Sequence, residues 1–238
     1  MIYIISGFIF GFLIPFLSRR VGKLMPATMG YILLKIFIPY HYMPWNKLNN
    51  NPQYMYLFKR YMMRSLGWAI STSALTYLFA VNFDHYYTGY YIAFLWILLW
   101  LVEIDKRFLL LPDIFTLPLL ILGFAYAANN GPWVESINPE MISNAQYSVA
   151  GAVFGYIMPV IASMFIVWKY PDAFGGGDIK LLCAIGAWVG VEVVSYILIL
   201  SCVIFALSCL IQKQRVGPFG PAIVYATLIS CIFIFALS

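Results

Sequence analysis

The sequence predicts an all-α fold, a polytopic membrane bundle of about eight transmembrane helices. Of its 238 residues, 63% are hydrophobic, only 10% are charged, and the mean hydropathy is +0.86. An average soluble domain carries about 25% charged residues, so this chain cannot cover a water-facing surface. Apolar runs close to the length of about 20 residues that crosses a bilayer also recur along the chain. The predicted spans run over residues 2–17, 65–82, 89–104, 114–128, 147–168, 179–191, 193–211 and 219–237.

Several of these elements carry specific signals. The first span lacks a basic leader and a small-residue cleavage site, so we expect it to stay in the mature protein. Segment 26–45 is apolar but contains Lys35, Pro39, His41 and Pro44. It is therefore predicted to be interfacial or re-entrant, with a membrane span as the alternative. Only Gly190 to Glu192 separates the sixth span from the seventh.

The charges predict the topology. The chain carries 14 basic residues and a net charge of +5. The charged residues between the first two spans are all basic: Arg19, Arg20, Lys23, Lys35, Lys47, Lys59, Arg60 and Arg64. The positive-inside rule makes this loop cytoplasmic, and alternation of the spans then puts every basic residue on that side. Both termini are predicted to lie outside the cytoplasm. Residues 1–64 form a first helix and basic loop, and residues 65–238 a transmembrane domain.

The basic residues therefore predict orientation and contact with anionic lipid rather than a nucleic-acid partner. The four cysteines, all from Cys183 onward, lie in apolar runs without a Cys-x-x-Cys pair. We therefore expect neither a metal site nor a cofactor.

Acidic residues on the predicted cytoplasmic side form two clusters. They are Glu103, Asp105 and Asp113 in the first segment and Asp172 and Asp178 in the second. A carboxylate at a membrane helix centre costs roughly 2.5–3.5 kcal/mol, so such a residue indicates a functional site. Three glycines, Gly175, Gly176 and Gly177, precede Asp178. They permit a positive φ and leave room for a close approach, for example by a peptide backbone.

Two carboxyl groups that share one water can hydrolyse an amide. The ionised group takes a proton from the water, and the protonated group polarises the carbonyl. Like charges a few ångströms apart do not both ionise easily, so such a pair titrates as a unit. His41 and His85 are predicted on opposite membrane faces and cannot be partners. Asp178 is thus the first candidate, with Asp105 or Asp113 as its partner.

These motifs resemble the type IV prepilin leader peptidases, membrane aspartyl proteases of the Gly-x-Gly-Asp group. The resemblance covers about residues 90 to 230. The matching segments are Gly175-Gly176-Gly177-Asp178 with Lys180-Leu181-Leu182, Asp105 eight residues before the Asp of Pro112-Asp113, Gly151-Ala152-Val153-Phe154-Gly155-Tyr156, Gly186-Ala187-Trp188 and Gly217-Pro218-Phe219-Gly220-Pro221.

The resemblance implies an Asp105/Asp178 catalytic dyad that activates water. It gives Gly175, Gly176, Gly177, Lys180 and Asp113 supporting or substrate-binding roles. The implied substrates are prepilins of type IV pili or pseudopilins of type II secretion, cut on the cytoplasmic side after the glycine that ends the leader. Their basic leader is expected to dock on the cytoplasmic carboxylates. No metal is implied.

Some roles stay open at this point. Lys180 either stabilises charged Asp178, binds substrate or anchors the topology, and Glu103 is interpreted as a satisfied interfacial acid. The segment Gly217 to Pro221 is interpreted as a helix break, with a loop that holds an extended substrate as the alternative. Larger family members carry paired Cys-x-x-Cys motifs after the first span, which this chain lacks, so the second family activity, N-methylation of the product, is not predicted.

Two other functions are alternatives. A transporter or proton relay would also use membrane carboxylates, but the acids gather at one face. Proteases of the signal peptide peptidase type place their first Asp after a tyrosine, whereas Ile104 precedes Asp105 here.

Overall fold

The computed structural model describes residues 1–24, 52–82, 87–130, 144–167, 175–213 and 217–237, and its regular structure in these ranges is entirely α-helical. The helices are α1 (Ile2–Leu24), α2 (Pro52–Asn82), α3 (Thr88–Phe108), α4 (Asp113–Asn130), α5 (Asn144–Val167), α6 (Gly176–Gln212) and α7 (Gly220–Leu237). The all-α prediction is therefore confirmed for the described ranges. The predictions for segment 26–45, the two histidines and Asp172 lie outside them.

Four of the helices are long and apolar enough to cross a membrane. These stretches are Ile2–Gly22, Thr88–Phe108, Asn144–Met164 and Gly176–Gln212. A helix of 21 residues spans about 31 Å, which matches the roughly 30 Å hydrocarbon core of a bilayer. Two shorter apolar helices, Asp113–Asn129 and Gly220–Ile234, accompany them. The architecture is that of a helical membrane bundle.

Helix α6 is broken at Gly190, the position where the sequence indicates a turn between two spans. Gly190 has φ 81° and ψ 179°, outside the helical region. The ring of Tyr147, from α5, fills the space where a side chain at Gly190 would lie. A glycine is needed here because the positive φ and the close ring both disfavour a Cβ.

The chain divides into two compact units, residues 1–104 and 105–238, with the boundary inside α3. The predicted division after residue 64 is based on sequence character and stays a prediction. In the first unit α1 and α2 run antiparallel. The Ser73 hydroxyl donates to the Ile4 carbonyl (2.9 Å), and the Arg19 guanidinium lies 4.5 Å from the centre of the Tyr61 ring. The basic ends of both helices are therefore level with each other.

Glu103 belongs to this first unit and is fully buried. Its Oε2 accepts hydrogen bonds from the Arg64 guanidinium and from the Trp68 indole, both at 2.9 Å. A buried carboxylate needs such partners to offset its desolvation. Glu103 is thus a satisfied acid, as the sequence indicated, and its charge is balanced within the protein.

In the second unit, α5 and α6 pack backbone against backbone through glycines. A side chain on Gly151 or on Gly186 would collide with the backbone of the other glycine, and one on Gly155 would meet the Leu182 carbonyl at 2.5 Å. Small residues spaced by four let membrane helices approach closely, as in Gly151-x-x-x-Gly155 and Gly186-x-x-x-Gly190. This packing fixes the position of α6 along α5.

Trp188 connects α6 to α4. Its indole N–H donates to the Leu119 carbonyl at 2.8 Å, and its ring stacks on Tyr126 with centroids 5.6 Å apart. Gly123 makes room for the indole, since a Cβ there would lie 2.8 Å from Trp188 Cδ1. Trp188 is fully buried, so this polar anchor sets the register of α6 against α4.

Candidate active site

Asp105 lies in the last turn of α3 and is 4% exposed. Its Oδ2 accepts a hydrogen bond from the backbone N–H of Gly220 at 3.0 Å. Gly220 is the first residue of α7, and the Phe219 carbonyl already accepts bonds from two of the next N–H groups of the helix (2.9 and 3.2 Å). Pro221 has no N–H, so the Gly220 N–H is the free donor of this first turn. The Asp105 carboxylate satisfies it.

The contact between α7 and Asp105 requires a glycine. A Cβ on Gly220 would lie 2.7 Å from Asp105 Oδ2 and 3.3 Å from Leu111 Cδ1. Any larger residue would push the carboxylate away from its donor. The sequence indicated a helix break or a substrate-holding loop at Gly217 to Pro221, and the hydrogen bond to Asp105 was not predicted. The signal was a Gly-Pro pair at a helix start, where one N–H is left unpaired.

Asp178 is the third residue of α6 and is partly buried. The Gly175 backbone N–H, at the N-cap, hydrogen-bonds back to the Asp178 carboxyl. This is half of a capping box, in which the side chain at the third position satisfies the N-cap donor. A Cβ on Gly175 would lie 2.9 Å from Asp178 Oδ2. The glycine motif therefore holds the Asp178 carboxyl in the way that Gly220 holds the Asp105 carboxyl.

The two carboxyls share one site. The charge of Asp105 acts electrostatically on Asp178, although 73 positions separate them in sequence. Leu111 contacts both neighbourhoods: a Cβ on Gly177 would lie 2.8 Å from Leu111 Cβ, and one on Gly220 would lie 3.3 Å from its Cδ1. The structure thus brings together the two acids that the sequence selected as a pair.

Asp113 is engaged elsewhere. The Lys180 ammonium donates to both of its carboxylate oxygens at 2.8 Å, and about half of each side chain is exposed. Lys180 thus binds Asp113 in this structure, a partner that none of the sequence-based alternatives named. This pairing makes Asp113 a weaker candidate than Asp105 for the partner of Asp178. Over the described ranges, no group of three or more His, Cys, Asp or Glu could hold a metal ion.

The three glycines of the motif differ from one another. Gly175 has φ −72°, and within the ranges that the structure describes the positive φ of a glycine occurs at Gly190. The motif therefore does not use the left-handed region that glycine permits. Close approaches at Gly175 and Gly177 are made by the protein's own atoms, whereas nothing lies within 4 Å of a Cβ on Gly176. Room for a ligand is thus found at Gly176 alone among the three.

Two of the carboxylates expected to receive a basic leader are paired with basic side chains of this protein. Glu103 is buried and paired with Arg64, and Asp113 is paired with Lys180. Lys106 adds a positive charge beside the site, where its ammonium donates to the Tyr225 hydroxyl at 2.6 Å. Negative charge without a cationic partner in these contacts is concentrated at the two aspartates themselves.

A family model described as the type IV leader peptidase family matches residues 92–210, half of the chain. The chain belongs to this family. The match includes Asp105, Asp113 and the whole glycine motif. It confirms the resemblance to the type IV prepilin leader peptidases, and it does not favour the transporter alternative.

Curated relatives agree with this assignment. A prepilin leader peptidase/N-methyltransferase of Dichelobacter nodosus is 30% identical over 202 residues, covering 78% of this chain and 66% of that protein. Proteins of the same name from Vibrio cholerae (30% over 135 residues; 54% and 49%) and Pseudomonas aeruginosa (29% over 185 residues; 74% and 59%) are also similar. The chain thus spans about half to two thirds of the length of these relatives. No solved structure matches.

Proposed function

We propose that the protein is a membrane aspartyl endopeptidase that removes the leader peptide from type IV prepilins or pseudopilins. The observation that carries the proposal is the pairing of Asp105 with Asp178, each held by the backbone N–H of a glycine at a helix start. Family membership supports the reaction class, and the names of the relatives support the substrate class.

The dyad can perform the hydrolysis without another catalytic group. One carboxyl is ionised and takes a proton from the shared water, whose oxygen attacks the scissile carbonyl carbon. The other carboxyl is protonated and donates to the carbonyl oxygen. Collapse of the tetrahedral intermediate breaks the C–N bond, and a carboxyl proton passes to the leaving amine. The backbone donors of Gly220 and Gly175 hold the carboxyls in place through these transfers.

The conservative replacements Asp105→Asn and Asp178→Asn test the dyad. Each keeps the side-chain shape but cannot exchange the proton, so both should abolish leader removal in membranes incubated with a prepilin. Asp113→Asn should retain cleavage, because that residue binds Lys180 and not the water. Cleavage by Asp178→Asn would refute the proposal. If Asp113→Asn lost cleavage while Asp105→Asn retained it, Asp113 and not Asp105 would be the partner of Asp178.

The working rate of such a pair should have a bell-shaped dependence on pH. One limb reports ionisation of the base, and the other reports loss of the acid's proton. The two apparent pKa values read from these limbs belong to the pair and not to single residues. The asparagine variants have no such profile to measure. A flat pH dependence in the unmutated protein would argue against a carboxyl pair.

The finer topology is part of the proposal. We infer eight spans, cytoplasmic basic loops and both termini outside the cytoplasm of a bacterial inner membrane. The support is that the basic residues of α1 and α2, including the exposed Arg19, Lys59 and Arg60, fall at the same ends of an antiparallel pair. Single cysteines placed at these positions should be protected from a membrane-impermeant thiol reagent in intact cells, and labelling from outside would reverse the orientation.

We also propose that this chain cleaves without methylating the product. The relatives are named as peptidase and N-methyltransferase, but this chain has no cysteine before Cys183. Mass analysis of the mature N-terminus after incubation with S-adenosylmethionine should find the unmodified residue. An added methyl group would show that the second activity is retained.

A further inference from the structure

Leu111 lies where the two carboxylate-bearing regions meet. Its Cβ faces Gly177, the residue before Asp178, and its Cδ1 faces Gly220, the donor to Asp105. One side chain therefore extends from the start of α6 to the start of α7. Each contact is made to a glycine that adjoins one carboxyl.

The backbone on both sides of Leu111 is fixed. The Leu109 N–H bonds to the Asp105 carbonyl at 2.9 Å, and Leu109 has a left-handed φ of 52°, which ends α3 and turns the chain. Pro112 is buried, and its carbonyl accepts the first N–H bonds of α4 (3.1 and 3.3 Å). Asp113 then binds Lys180. Leu111 is thus anchored by the segment that follows Asp105, and it packs against the turn that carries Asp178.

We propose that Leu111 is a positioning residue that sets the separation of the Asp105 and Asp178 carboxyls. The inference rests on the proposed function and extends it, because it concerns how the dyad is spaced. The length of the leucine side chain, from Cβ at α6 to Cδ1 at α7, keeps the two helix starts apart. Shortening it removes the contact at α7 and leaves the contact at α6, so the two carboxyls move relative to each other.

The experiment compares Leu111→Ala and Leu111→Met in the full chain, in membranes, with a prepilin substrate. Leu110→Ala is the matched control, since Leu110 is the neighbouring leucine and is 47% exposed. A misplacement of about 1 Å can cost ~100-fold in rate, so we expect Leu111→Ala to lower kcat by roughly 10- to 100-fold with little change in KM. Leu111→Met keeps the reach of the side chain and should restore most of kcat.

A second readout separates positioning from general stability. Interaction between the carboxyls depends on their separation, so Leu111→Ala should change the spacing between the two limbs of the pH–rate profile. The charged neighbours Lys180, Asp113 and Lys106 and the Tyr225 hydroxyl are unaltered in this variant. A purely structural role would lower the amount of folded protein and leave the limbs where they are.

The outcomes are distinct. No cleavage by the unmutated protein would overturn the proposed function and this inference with it. Cleavage by the unmutated protein but not by Asp178→Asn, together with unchanged kcat and pH limbs in Leu111→Ala, would overturn the positioning role alone. A loss of kcat that only follows the loss of folded protein, measured by thermal unfolding, would also overturn it.

Discussion

Replacing Gly220 with alanine tests the hydrogen bond that holds Asp105. The added methyl would lie 2.7 Å from Asp105 Oδ2 and 3.2 Å from its Cγ, whereas ordinary contacts of a Cβ are 3.4 Å or longer. The carboxyl must therefore retreat by about 0.7 Å. Its hydrogen bond to the Gly220 N–H, now 3.0 Å, would lengthen beyond the usual range.

Two costs follow from this displacement. Displacement of a catalytic group by about 1 Å can lower the rate by up to ~100-fold, or about 2.7 kcal/mol in the barrier. The buried Gly220 N–H also loses its acceptor, which costs about 1–3 kcal/mol of folding free energy. We therefore expect kcat to fall by roughly 10- to 100-fold and the thermal unfolding temperature to fall by a few degrees.

The assay measures leader removal from a prepilin in membranes at matched amounts of folded enzyme. Gly67→Ala is the control, because it makes the same change in a helix and nothing lies within 4 Å of the new methyl. It should leave kcat unchanged and should not lower the unfolding temperature, because alanine is the better helix former. A Gly220→Ala variant with the kcat of the unmutated protein would refute the argument that this contact positions Asp105.

Three further changes test the glycine motif and the packing that supports it. Gly177→Ala should lower kcat, because its methyl would lie 2.8 Å from the Leu111 Cβ, whereas Gly67→Ala should not, since its methyl meets no atom within 4 Å; equal initial rates for the two would contradict this. Gly186→Leu should prevent the close packing of α5 and α6, so its yield in membranes should fall well below that of Gly67→Leu. Trp188→Phe removes the indole hydrogen bond to the Leu119 carbonyl, and its unfolding free energy should fall by about 0.5–1.5 kcal/mol, which an unchanged denaturation midpoint would disprove.

Much of the site could be predicted from the sequence. Asp178 stood out because a carboxylate is costly among apolar residues, and the glycines before it indicated a close approach. Asp105 followed from the clustering of acids at one predicted membrane face and from the family motif. The turn at Gly190 was also indicated, because glycine is the residue that a break inside a long apolar helix requires.

The partners of these residues could not be predicted, since they come from distant parts of the chain. Nothing local shows that Gly220 donates to Asp105 across 115 positions, or that Lys180 binds Asp113 rather than Asp178. Glu103 and Asp105 are two residues apart, yet one pairs with Arg64 and the other with Gly220. Residues two apart leave an α-helix on nearly opposite sides, so only packing decides which contacts each one makes.

The sequence by itself therefore indicated the membrane environment of this protein, its helical class and its two catalytic candidates. It could do so because composition, span length and rare charges are local properties of the chain. The tertiary structure decided how the carboxyls are held and spaced. Backbone donors at two helix starts hold the carboxyls, and the side chain of Leu111 contacts both starts. Such contacts exist only once helices far apart in sequence have packed.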